Sequence, residues 1–128
     1  MKENNKIRIF KVCLVGESGV GKTCIINKFV KNEFNLDEVS TAAASYAQKN
    51  IQMEGGKVIK FHIWDTAGQE KYRSIAKIFY KETKAAFIVY DITNKNSFEE
   101  IKNYWYDQIK NNTPKGTNKF LFYLINIF

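Results

Sequence analysis

The octapeptide Gly16-Glu17-Ser18-Gly19-Val20-Gly21-Lys22-Thr23 constrains this chain more than any other stretch, because of what flanks it. Before it, residues 7 to 15 read IRIFKVCLV, a β-branched and aromatic run with the make-up of a strand. After it, Ile25, Ile26, Phe29 and Val30 recur at helical spacing, so a helix opens out of the loop and fades near Asn32. Glycines in such a loop let backbone N–H groups close around an anion, and the helix that begins there adds the positive end of its dipole. Lys22 would reach the β- and γ-phosphates of a nucleotide, and the Thr23 hydroxyl suits Mg²⁺. The plain alternative is a glycine-rich turn with no ligand. Placement directly between a strand and a helix argues against it.

The rest of the chain extends the same alternation. Residues 33 to 45 show no clean period and read as a long connection, which in a compact domain is usually functional. Two strand-like runs, 46 to 53 and 58 to 64, are joined through Glu54-Gly55-Gly56-Lys57, and the glycine pair predicts a two-residue hairpin. After Trp64 comes Asp65-Thr66-Ala67-Gly68-Gln69, and then Tyr72, Ile75, Ile78 and Phe79 on one side of a helix. The run AAFIVY, 85 to 90, is continuously apolar, as befits a strand covered on both faces. Ser97 and Glu100 form a capping-box pattern, and Phe98, Ile101, Trp105 and Ile109 trace the buried stripe of the helix that follows. A loop over 111 to 118 holds the only proline, and a final apolar strand covers 119 to 125. The order β-α-β-β-α-β-α-β predicts an α/β fold, a mostly parallel sheet with one antiparallel hairpin. With 128 residues the chain makes one domain, 1–128.

Composition narrows the function classes. The net charge is +7, which favours a polyanionic partner. Yet 18 of the 20 basic residues are Lys, and only Arg8 and Arg73 are Arg. Since arginine is the preferred reader of base edges, a nucleic-acid partner is not expected. Cys13, Cys24 and the lone His62 have no metal-ligand spacing, and the two cysteines sit in apolar stretches, so a reducing compartment fits. The N-terminus resembles neither a signal nor a transit peptide, and no apolar stretch is long enough to span a bilayer; the expectation is a cytoplasmic protein.

The motif Asp65-Thr66-Ala67-Gly68-Gln69 supplies what the loop lacks. At the end of a strand beside the loop, Asp65 can hold the shell of Mg²⁺, Gly68 can offer its N–H to a γ-phosphate, and Gln69 can orient water. An isolated aspartate at a strand end is as readily a solvated cap; the pairing with the loop is what points to phosphoryl transfer. GESGVGKT, WDTAGQEKYRSI and IVYDIT, in this order and spacing, resemble the small GTPases. Within them the runs KFHIWD (60 to 65), AGQEKY (67 to 72) and IVYDIT (88 to 93) resemble the Rab family of vesicle-traffic regulators, with a lean to its endosomal branch. The resemblance covers about residues 7 to 112.

That resemblance implies the P-loop NTPase (small G-protein) fold and a switch in membrane traffic that binds GTP and GDP with Mg²⁺ and hydrolyses GTP. Nucleotide contacts are implied for Gly16, Glu17, Ser18, Gly19, Val20, Gly21, Lys22, Thr23, Cys24, Thr41, Asp65 and Gly68, and metal ligation for Thr23, Thr41 and Asp65. Gln69 and Lys22 are the implied catalytic residues. Tyr46, Trp64 and Phe79 match the aromatic cluster that Rabs turn to their effectors, although Trp64 on a strand also fits ordinary core. Ser18 is a small residue that does not block hydrolysis. No arginine is placed as an internal finger, and Arg73 reads as a surface residue, so slow turnover and dependence on an activating protein are implied, along with an exchange factor and effectors of Rab type.

Two departures stand out. Where Rabs read Thr-Ile-Gly, this chain has Thr41-Ala42-Ala43. And where the family's base-reading Asn-Lys-x-Asp motif should follow the last strand, the chain reads Asn126-Ile127-Phe128. The Ser-Ala-Lys loop, the last strand, two helices and a tail with prenylated cysteines are not matched either. The expectation is therefore a G domain that is C-terminally incomplete, whose intact relatives reach endomembranes through a prenylated tail. A non-catalytic truncated product or interaction module is the alternative. An adenine-preferring P-loop NTPase is a third reading, against which Asp65-Thr66-Ala67-Gly68-Gln69 argues.

Overall fold

The computed structural model describes residues 7–33, 44–66 and 80–124. Five strands, β1 (Ile7–Val15), β2 (Ala44–Gln52), β3 (Val58–Thr66), β4 (Ala85–Asp91) and β5 (Asn118–Leu124), form one sheet in the order β2-β3-β1-β4-β5. Strands β3 and β4 both run parallel to β1, and β5 runs parallel to β4. Only β2 is antiparallel, to β3. The mostly parallel sheet with one antiparallel hairpin is thus the architecture that forms. The helix expected around Tyr72, Ile75, Ile78 and Phe79 lies outside the described residues.

Strand alternation divides the core in two. Val12, Leu14, Ile63, Ala85 and Val89 point to the face covered by α1 (Lys22–Lys31), where they meet Val20 and Ile26. Cys13, Val15, Ala86 and Ile88 point to the opposite face, against Tyr80, Ile101, Trp105 and Ile109. Successive residues of β1 and β4 therefore belong to different half-cores, as a period of two requires. Of these side chains Cys13, Val15, Tyr80, Ala86, Val89, Trp105 and Ile109 are wholly buried. Burial of the Cys13 thiol raises its pKa to about 11.

The helix opposite α1 is not uniform. An α-helical segment, α2 (Lys95–Glu100), passes into a π-helical turn at Ile101–Trp105 and on into α3 (Tyr106–Asn112). The buried positions explain the wide turn. Ser97, Ile101, Trp105 and Ile109 are all buried, at a strict spacing of four. In an ideal α-helix each such step overshoots a full turn by roughly 40°, so three steps would swing the stripe about 120° off the core. A π turn holds an extra residue and takes up most of that drift.

Three local expectations are corrected. The capping box at Ser97 and Glu100 does not form: Asn94 is the N-cap, its side chain accepting from the Ser97 N–H at 3.3 Å. Ser97 instead lies inside the helix, buried, its hydroxyl accepting from the Asp91 N–H at 3.0 Å and set 2.7 Å from the Asn94 carbonyl. The helix starts three residues earlier, with Asn94 accepting from the N–H of its own N3 residue, Ser97, so that Ser97 is already inside the helix. Phe98, expected in the buried stripe, is 40% exposed and rests against Tyr90, because the stripe begins one residue earlier, at Ser97. Finally, Gly55-Gly56 is not a two-residue loop. Glu54–Gly56 makes one 3-10 turn closed by the Met53 N–H on the Lys57 carbonyl at 2.8 Å, with both glycines at positive φ.

Among the described residues no helix is long and apolar enough to cross a membrane.

Candidate functional site

The register of the parallel strands gathers their C-terminal ends on one edge of the sheet. Leu14 lies beside Asp65, and Val15 beside Ile88. The Thr66 hydroxyl donates to the Leu14 carbonyl at 2.7 Å, which ties the end of β3 to the end of β1. The loop of residues 16 to 21 emerges at this edge, where ligands of parallel α/β sheets bind.

Glycine is required in this loop for different reasons at different places. Gly16 has φ +144°, and a Cβ there would stand 2.1 Å from the backbone oxygen of Val89. The loop thus starts in direct backbone contact with β4, which only glycine permits. Gly19, at φ +78°, faces open space. Gly21, at φ +102°, is the N-cap of α1, and its carbonyl receives the Ile25 N–H at 3.0 Å. Val20 is buried and anchors the loop in the core beneath, while Ser18 is exposed and Cys24 is half-buried.

Lys22 is the feature that makes this a charged site rather than a plain turn. It is only 5% exposed, and its Nζ donates to the carbonyls of Gly16 at 3.0 Å and Glu17 at 2.8 Å. Burial drives its pKa down to about 8, against the upward pull of the nearby Asp65 and Glu17 charges. A buried ammonium held on two carbonyls at the start of a helix offers an anion a stronger electrostatic partner than it has now.

Thr23, the next residue, donates its hydroxyl to the Asp65 carboxylate, 42 residues away in sequence. Asp65 is 1% exposed. The Thr23 hydroxyl and the Asp65 carboxylate are hard oxygen donors side by side, at the lip of the loop. That donor set fits Mg²⁺, which takes one or two protein ligands and completes its shell with waters and phosphate oxygens. Among the described residues there is no group of three or more His, Cys, Asp or Glu that could cage a metal by itself.

Of the residues singled out in the sequence, Gly16, Glu17, Ser18, Gly19, Val20, Gly21, Lys22, Thr23, Cys24 and Asp65 come together here. Thr41, Gly68, Gln69 and Phe79 lie outside the described residues. Tyr46 and Trp64 sit on β2 and β3, their ring centroids 4.8 Å apart, and His62 meets Tyr46 edge to face at 5.5 Å. Tyr46 is exposed, whereas Trp64 also packs on the buried cluster behind the sheet. Trp64 is thus both partial core and part of an aromatic surface.

One contact of the loop had no counterpart in the sequence reading. Trp105, read there as plain core, donates its indole N–H to Glu17 Oε1 at 2.9 Å. The strict four-residue spacing of the buried stripe was the available signal that this part of the helix is unusual.

The sequence profile of the Ras family matches residues 11–125. The chain belongs to the Ras family. Several of its relatives carry Rab names. It is 45% identical to the Ras-related protein RABA1b of Arabidopsis thaliana over 82% of this chain and 48% of that protein. It is 40% identical to the Ras-related protein Rab-15 of Rattus norvegicus over 88% of this chain and 52% of the relative. To the Ras-related protein Rab-13 of the same species it is 42% identical over 88% and 55%. These matches support the Rab branch of the Ras family, and the mostly parallel five-stranded sheet is consistent with the Ras-type fold. The chain spans about half the length of the relatives it matches.

Proposed function

We propose that this chain is the nucleotide-binding part of a Rab-type switch, which binds GTP and GDP with Mg²⁺ and hydrolyses GTP. The observation that carries the reading is the buried Lys22, held on the Gly16 and Glu17 carbonyls next to the Thr23–Asp65 pair. In the proposed complex the loop N–H groups donate to phosphate oxygens, and Lys22 swings its ammonium from the carbonyls to the β- and γ-phosphates. Thr23 and Asp65, together with Thr41, would hold Mg²⁺, which neutralises phosphate charge when bound. Gln69 would place the attacking water, and Gly68 would donate its N–H to the γ-phosphate.

Arg8, the one arginine among the described residues, is on the N-terminal part of β1, away from the loop edge. With Arg73 read as a surface residue, slow intrinsic turnover that an activating protein accelerates is part of the proposal. Exchange factors and effectors of Rab type are the other proposed partners, the latter reading Tyr46, Trp64 and Phe79. The proposed setting is the cytoplasmic side of endomembranes.

The test is a thermal melt with millimolar GDP or GTP and Mg²⁺. A hundredfold excess over Kd stabilises a fold by about 2.7 kcal/mol, or roughly 10 °C in a domain of this size. Lys22→Ala should abolish that shift. In single-turnover assays Gln69→Leu should slow phosphate release with binding nearly intact. A folded wild-type chain whose melt ignores both nucleotides would overturn the proposal.

A further inference from the structure

One polar side chain of the loop, that of Glu17, reaches to the helix behind the sheet. Glu17 is half-buried, and its carboxylate takes the indole N–H of Trp105 at 2.9 Å, across 88 residues of sequence. Trp105 is wholly buried in the half-core behind β1 and β4, wedged edge-on against Tyr104 at 4.8 Å. An indole N–H can only donate, and inside a core it must find an acceptor. Here the acceptor is a carboxylate, which makes the bond charge-assisted.

The placement of Trp105 depends on the π turn. It is the last residue of that turn, and the turn is what keeps it on the same stripe as Ile101 and Ile109. Single wide turns of this kind are often found where a helix serves a site. The loop it reaches is otherwise pinned at its start by the Gly16 contact with β4 and at its end by α1. Glu17 lies between these anchors, and its own carbonyl is one of the two that hold Lys22.

We propose that Trp105 and Glu17 form a latch that positions the phosphate loop, so that the helix behind the sheet sets how firmly the loop holds a nucleotide. Trp105 and Glu17 are positioning residues: the side chain of Glu17 fixes the peptide whose carbonyl orients Lys22. The effect on nucleotide rests on the function proposed above, but the latch itself does not.

The test uses Trp105→Phe, Glu17→Ala, Glu17→Gln and the double variant Trp105→Phe/Glu17→Ala in the full chain. The probe is GDP carrying a fluorescent ribose ester, released in the presence of Mg²⁺ and excess unlabelled GDP. A hydrogen bond to a charged group is worth about tenfold in such a rate. Trp105→Phe and Glu17→Ala should each speed release about tenfold, and the double variant should be no faster than either single one. Glu17→Gln, which keeps an acceptor oxygen, should stay within about threefold of the wild type. Hydrogen exchange of residues 16 to 21 without nucleotide is read in parallel and should rise about tenfold in the same two variants, but not in Glu17→Gln. This arm tests the latch even if GDP does not bind. Glu17 is on the surface side of the contact, so its variants carry the test if Trp105→Phe does not fold. Effects that multiply in the double variant, or a Glu17→Gln protein as fast as Glu17→Ala in both measurements, would overturn the proposal.

Discussion

Gly16→Ala should be among the most damaging single-methyl additions this chain can receive. The new Cβ would lie 2.1 Å from the Val89 oxygen and 3.1 Å from its carbonyl carbon, where real Cβ contacts stay beyond 3.0 Å. Something must move by about an ångström, and Val89 cannot give easily: it is wholly buried and held in β4 between β1 and β5. Overpacking of this kind costs about 1 to 3 kcal/mol. The backbone at φ +144° adds about 1 to 3 kcal/mol for a residue with a side chain. Together they come to about 4 kcal/mol, a large share of the roughly 5 to 15 kcal/mol that holds a domain folded. Gly19→Ala is the matched control. Its φ of +78° is also left-handed, but nothing stands within 4 Å, so only the backbone cost of about 1 kcal/mol applies. With a urea slope of about 2 kcal/mol/M, the midpoint should fall by about 2 M for Gly16→Ala and about 0.5 M for Gly19→Ala, without nucleotide. Equal shifts would refute the argument that close approach to β4, rather than φ alone, demands glycine at residue 16.

Two further outcomes follow from buried polar groups. The Lys22 pKa is lowered from 10.5 to about 8, so between these values the unfolded chain binds more protons than the folded one, and stability should rise with pH. Cys13, raised from 9.0 to about 11, acts oppositely above pH 9. Chemical denaturation should therefore show stability climbing from pH 8 to 9 and levelling above it, and Lys22→Met should remove the climb. Ser97→Ala strips the Asp91 N–H of its buried acceptor and should cost about 1 to 3 kcal/mol in a thermal melt, whereas an effect below 0.5 kcal/mol would show that the hydroxyl is not needed there.

Much of this could be read from residue order because the signals were local. The run before Gly16, the helical recurrence of Ile25, Ile26, Phe29 and Val30, and the apolar stretch at 85 to 90 each name their element by period and composition, and the loop motif names its ligand chemistry. The placement of Asp65 beside the loop that leads into Thr23 followed from setting the loop, after β1, and Asp65, on β3, at the same ends of parallel strands. What escaped was decided by competition between neighbours. Asn94 and Ser97 are both good caps, and only the packing of Ser97 under Asp91 settles which of them starts the helix. Phe98 looked like core by hydrophobicity, but a four-residue stripe excludes it. The Glu17–Trp105 bond joins residues that no short-range pattern connects.

Strand β3 places Trp64 and Asp65 side by side, and adjacent residues of a strand face opposite ways. Asp65 holds the Thr23 hydroxyl at the lip of the loop, while Trp64 leans on Tyr46 at the aromatic surface. The two are consecutive links in one stiff chain segment, hydrogen-bonded on both sides, and they form the two arms of a rocker. Any shift of β3 at this point therefore displaces the carboxylate and the indole together, on opposite faces of the sheet, with no side chain needed between them.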